Sequence, residues 1–140
     1  MARDGGLERF HRRMQAIPVD VRAAVRPALV SAAEDMAVTM RALAPEDTGA
    51  LKRSIAVTGP GQATPAYSQP GGSSVVGDLQ AAVTAGETAV RYAHLVEYGT
   101  ARAPAQPFFW PAVRLHRKKA AAKIKRAISK AVRDGRKGTP

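Results

Sequence analysis

The strongest constraint on this chain lies near its C-terminus, where Pro111 is followed by twenty-three residues free of Gly and Pro. Pro111 suits the first position of a helix, since its missing N–H has no partner there anyway. At about 100° per residue, Val113, Ala120, Ala121, Ile124, Ile128 and Ala131 fall close to one line, a stripe that must be buried. The spacing therefore predicts a long helix ending near Asp134. Lys118, Lys119, Lys123, Lys125, Arg126, Lys130 and Arg133 take the other side. Arg117 falls inside the stripe and is expected to snorkel or to pair with a buried acid.

This helix holds the protein's charge. The formal net charge is +11, yet residues 114–137 carry eleven Lys or Arg against one acid, leaving eleven basic and ten acidic groups elsewhere. A polyanion partner, packaged DNA included, is one reading of so local a charge. A solvated face that keeps the protein soluble is the other. Both stay open on the sequence.

Upstream, residues 7–17 place Leu7, Phe10, Met14 and Ile17 three and four apart, a short helix ended by Pro18. Residues 19–44 carry a second stripe of Val25, Leu29, Ala32, Met36, Met40 and Leu43, with a kink or late start expected at Pro27. Pro45 ends that helix. Asp47, Thr48 and Gly49 supply turn and cap chemistry, with Thr48 expected to cap a short turn through residues 51–53. Ile55 and Val57 then alternate, opening a strand.

Residues 59–74 hold four glycines and three prolines in sixteen positions, too many for a periodic element, and read as a long mobile loop. One or two β segments follow, then a short helix ended by Gly99, which is expected to take positive φ. The order implies an α+β fold. It has N-terminal helices, a small antiparallel sheet with a long mobile loop, a short helix and a long basic C-terminal helix. One domain of 140 residues is large enough for a core without staples. Its expected bounds are 1–134, with a flexible basic tail at 135–140.

Several chemistries are excluded. Without cysteine there is no disulfide scaffold, thiol nucleophile or Cys-based metal site. The early charges and missing apolar core of the N-terminus do not read as a secretory signal, and no apolar run reaches the roughly 20 residues that span a bilayer. His94 and Glu97 stand three apart, a spacing two metal ligands can use, but no third ligand is evident and a plain helix-face pair is preferred. No nucleophile, base and oxyanion site assemble, so neither an enzyme nor a cofactor is expected.

Three blocks carry a likeness. "APEDTGALKRSI" at 44–55, "YAHLVEYGT" at 92–100 and "QPFFWPAV" at 106–113 together resemble the neck and tail-completion proteins of tailed phages. The family is the HK-ninety-seven-type "gene product ten"-like one of siphophages. Pro45, Thr48, Gly49, Leu51, Ser54 and Ile55 match its first motif. Tyr92, Ala93, Val96, Glu97, Tyr98, Gly99 and Thr100 match the second. Pro107, Phe108, Pro111 and Ala112 match the third.

The resemblance implies a structural virion protein joining head to tail. Its partners would be copies of itself in a ring, hexameric by expectation, and neighbouring neck or tail-tube proteins, with contact to packaged DNA but no membrane. It would reside in the virion, and in host cytoplasm during assembly. The alternative is a small basic protein binding nucleic acid without sequence preference. Most of the clustered aromatics are expected to anchor the last helix to the sheet. Phe108 is the anchor, and Phe109 or Trp110 is left to face a neighbour.

Overall fold

Two long helices of opposite direction set the frame. The computed structural model describes residues 19–46 and 49–137. In chain order these form α1 (Val19–Leu43), α2 (Ala50–Arg53), β1 (Ala56–Thr58), β2 (Ala82–Thr84), α3 (Ala93–Tyr98) and α4 (Phe109–Lys137). The expected α+β class is the observed one. The expected helix at 7–17, with His11, and the capping role of Thr48 beside Asp47 lie outside the described residues.

α1 begins eight residues before Pro27 and runs through it, so the late start is not seen. Pro27 is exposed, and its lost N–H bond is one interruption in a 25-residue helix. Val25, Ala32 and Met40 of the expected stripe are buried, whereas Leu43, at the helix end, is largely exposed. α4 starts at Phe109, two residues before Pro111, and continues to Lys137 past the expected end. Within its stripe Ala131 is buried and Ile124 and Ile128 are half-buried, but Ala121 faces solvent. Arg117 is exposed too and makes no ion pair among the described residues.

α1 and α4 pack antiparallel. Val21 and Val25 meet Ala131 at one end, while Met40 and Ala37 share a core with Phe108, Phe109 and Ala112 at the other. That second cluster also takes Leu51, Ile55, Ala85, Val90 and Ala93, joining the sheet and short helices to the pair. Complete burial of Phe108 contributes about 2–3 kcal/mol.

The sheet is small. β1 and β2 pair antiparallel with Ala56 opposite Thr84, Val57 opposite Val83 and Thr58 opposite Ala82. Ser54 ties it to α2, donating from Oγ to the Leu51 carbonyl at 2.6 Å and accepting from the Gly86 N–H at 3.0 Å.

The segment 59–74, expected to be mobile, is folded back on itself. Thr64 and Ser74 exchange contacts (Thr64 N–H to the Ser74 carbonyl 2.8 Å, Ser74 N–H to Thr64 Oγ1 2.8 Å). Gln69 and Ala85 exchange two backbone hydrogen bonds and extend the sheet edge by one bridge. Polar side chains closing on backbone groups order this loop without apolar periodicity.

Candidate contact surfaces

Glu97 organises the aromatic end of the molecule. α3 stops because Gly99 adopts φ 79° and ψ 172°, a region open essentially to glycine alone. The chain then reverses, with Thr100 Oγ1 accepting from the N–H groups of Arg102 (3.2 Å) and Ala103 (3.0 Å). It returns along α3, where the Gln106 N–H donates to the Val96 carbonyl at 2.8 Å. That return places the first turn of α4 on the Glu97 carboxylate. Oε1 accepts from the backbone N–H groups of Phe108 (2.9 Å) and Phe109 (2.8 Å), and Oε2 from Trp110 (3.2 Å). A helix start leaves such N–H groups without partners, and its dipole favours negative charge there.

Glu97 is therefore buried as a cap, not one half of a helix-face pair with His94, which is exposed. Among the described residues no group of three His, Cys, Asp or Glu could hold a metal ion. A carboxylate 11 to 13 residues ahead of the N–H groups it caps leaves no local signature, so the sequence did not show this role.

The aromatics divide. Phe108 and Phe109 are buried and meet edge to face, with ring centroids 6.5 Å apart. Of the two candidates for a neighbour-facing contact, Phe109 or Trp110, Phe109 drops out: as the first residue of α4 its side chain enters the core. Trp110 is partly exposed and Tyr98 largely so. They are joined by a hydrogen bond from Trp110 Nε1 to the Tyr98 hydroxyl at 2.8 Å. Tyr92, at the N-cap position of α3, is exposed as well. The expectation of mostly inward aromatics therefore holds for the two phenylalanines and not for the tyrosines or Trp110.

Beside the Tyr98–Trp110 pair lies a shallow, half-open cleft. It is lined by Ala85, Ala93, Phe108 and Phe109 together with Gln69 and Pro70 of the folded loop. Nearby Tyr67 takes φ 61°, and the Arg91 guanidinium lies over its ring at 3.7 Å. The surface is mostly apolar and aromatic, with His94 and Glu97 also among its lining residues.

The basic face of α4 is narrower than expected. Lys123 turns toward α1, where Nζ donates to Asp35 at 2.6 Å and to Ser31 at 3.0 Å. That hydrogen bond holds the Asp35 carboxyl below the usual carboxylate range. Lys123 leaves the proposed DNA or partner face because the helix seam presents it with an acid. One turn further along α1, Thr39 Oγ1 lies 2.6 Å from His116 Nε2. Lys118, Lys119, Lys125, Arg126, Lys130 and Arg133 are all exposed, as expected.

The first motif block works mainly in the core. Leu51, Ser54 and Ile55 are buried, Pro45 follows the end of α1, and Gly49 stands at the N-cap of α2 with φ 80°.

A family model described as "Bacteriophage HK97-gp10, putative tail-component" matches residues 8–99. The match covers the first motif block and the second as far as Gly99, ending before the "QPFFWPAV" block. No curated protein and no solved structure gives a significant match.

Proposed function

This chain belongs to the HK97-gp10-like family of phage tail components, and from that premise we propose that it serves as a non-enzymatic structural element joining head to tail. Copies would form a ring around the DNA channel and contact neighbouring neck or tail-tube proteins. The protein would reside in the virion, after assembly in host cytoplasm. Among the described residues no helix is long and apolar enough to cross a membrane.

The observation that carries this reading is the Tyr98–Trp110 rim. A partly exposed tryptophan held by a hydrogen bond beside an apolar cleft has the character of an interface hot spot. A closed ring needs one self-complementary pair of unlike surfaces per subunit. The cleft supplies one, and a neighbouring copy is its occupant in this reading.

The test is the full-length variant Trp110→Ala, which leaves the Phe108 and Phe109 core in place. Its circular dichroism should match the wild type, and the variant should be lost from purified particles. Mass spectrometry of wild-type particles that finds no copy of the protein would overturn the tail role. A variant incorporated at normal copy number would exclude the cleft as the contact.

A further inference from the structure

We infer that the outward face of α4 binds the phosphate backbone of double-stranded DNA without reading its sequence. Lys118, Lys119, Lys125, Arg126, Lys130 and Arg133 are exposed and make no ion pair among the described residues. Several of the other described cations are engaged. Arg26 pairs with Asp78, Lys52 with Glu46 and Lys123 with Asp35, while Arg41 donates to the Ile55 carbonyl and Arg91 covers the Tyr67 ring.

The fold thus engages several of its described cations and leaves these six on α4 without an ion pair. Their spacing makes the contrast sharper. Arg126 and Lys130 are four apart and Lys130 and Arg133 three apart, so like charges crowd one another along the helix. Nothing on α4 relieves that repulsion except Asp134 at the edge of the face. A bound polyanion would relieve it.

The density of charge favours DNA over an acidic protein. Lys118 to Arg133 spans about 22 Å of helix and places a cation every 4 Å or so. Duplex DNA offers one phosphate per about 1.7 Å of axis. A folded protein surface rarely holds carboxylates so closely without raising their pKa values. The inference stands on α4 alone. The tail-component reading survives its failure, and absence of the protein from particles would leave the inference intact.

Fluorescence anisotropy of the full chain with a labelled duplex of about 25 base pairs, titrated from about 50 to 200 mM salt, provides the test. Six neutralised phosphates give a slope of log affinity against log salt near −5, and about a thousandfold loss across that range. Joint replacement of Lys119, Arg126 and Lys130 by Gln should make the slope shallower by about 3. Lys123→Gln should leave it unchanged, because Lys123 is turned to Asp35. Replacing Arg26, Lys52 and Arg91 by Gln removes the same charge elsewhere and should also leave it unchanged. Circular dichroism verifies the fold of each variant. Absence of salt-dependent binding, or an equal change of slope in the Arg26, Lys52 and Arg91 variant, would overturn the assignment. Tighter binding to polyglutamate than to duplex of equal charge would also overturn it, and would give the face to an acidic protein.

Discussion

Glu97 Oε1 lies 2.8 Å from the backbone nitrogen of Phe109, so a side chain of α3 closes the first turn of α4. Two helices that already share a core through Ala93, Phe109 and Ala112 are thereby fused into one unit. Removing the carboxylate strands three N–H groups, two of them buried. Glu97→Ala should lower stability by about 2–3 kcal/mol, from lost charge-assisted hydrogen bonds and unsatisfied donors. Glu97→Gln keeps one acceptor oxygen and should lose less. Urea denaturation followed by circular dichroism measures both. Equal stability of Glu97→Ala and wild type would mean that water replaces the cap.

Gly99 admits no side chain. A Cβ there would stand 2.7 Å from the Ala105 nitrogen and 3.1 Å from its Cα, and the backbone sits at φ 79°. Gly99→Ala should cost about 2–3 kcal/mol from backbone strain, before any clash with Ala105. Gly99→Val should cost more. Because the return strand carries Phe108 to Glu97, the near-ultraviolet signal of the aromatics should fall along with the melting temperature.

Asp35 and Lys123 make stability depend on acid. The Lys123 hydrogen bond lowers the Asp35 pKa from its ordinary 3.8, so the folded state binds that proton less readily than the unfolded one. The stabilisation is then full above that value and lost as pH falls through the lower folded value. The Lys123 and Asp35 side chains are 34% and 51% exposed, which keeps the contribution below about 1 kcal/mol. Asp35→Asn should melt slightly below the wild type at neutral pH, and the two curves should converge below about pH 4. A gap that widened in acid would contradict the pairing.

Trp110 is the only tryptophan, so its emission reports the cleft directly. Tyr98→Phe removes the hydroxyl that holds the indole N–H. On so exposed a rim the stability cost should be about 0.5 kcal/mol. The indole should become more mobile, with lower steady-state anisotropy. Unchanged anisotropy would show that packing on Phe109, at 5.0 Å between ring centroids, holds Trp110 unaided.

What the sequence made legible was local. Gly99 ended its helix with positive φ, Pro45 followed the end of α1, and the stripe through Val25 and Met40 faced the core, because each depends on chain neighbours alone. Phe108 as anchor was legible through its place in the "QPFFWPAV" block. Three features were not. The cap by Glu97 requires knowing that the chain doubles back. The loss of Lys123 from the basic face requires knowing that Asp35 lies opposite. The ladder at 59–74 is built from Thr64 and Ser74 bonding to backbone, which no hydrophobic period announces. Trp110 and Phe109 are adjacent and chemically alike, and only the helix start at Phe109 decides which of them turns inward.

The seam between α1 and α4 is floored by small side chains, among them Ala32, Ala37, Ala112 and Ala131. Alanine surfaces are smooth and by themselves do little to fix the register of two helices, whose larger contacts, such as those of Met40 and Val25, lie toward the ends. Thr39–His116 and Asp35–Lys123 interrupt that smoothness one turn apart on α1 and two turns apart on α4. They act as two teeth on otherwise smooth rods: a slip of one turn, about 5.4 Å, would separate both pairs and leave Thr39 and His116 half-buried without each other. The pair of helices is thereby indexed like a ruler, and the distance from the Trp110 cleft at one end to Val21 of α1 at the other becomes a fixed length that every copy in an assembly would share.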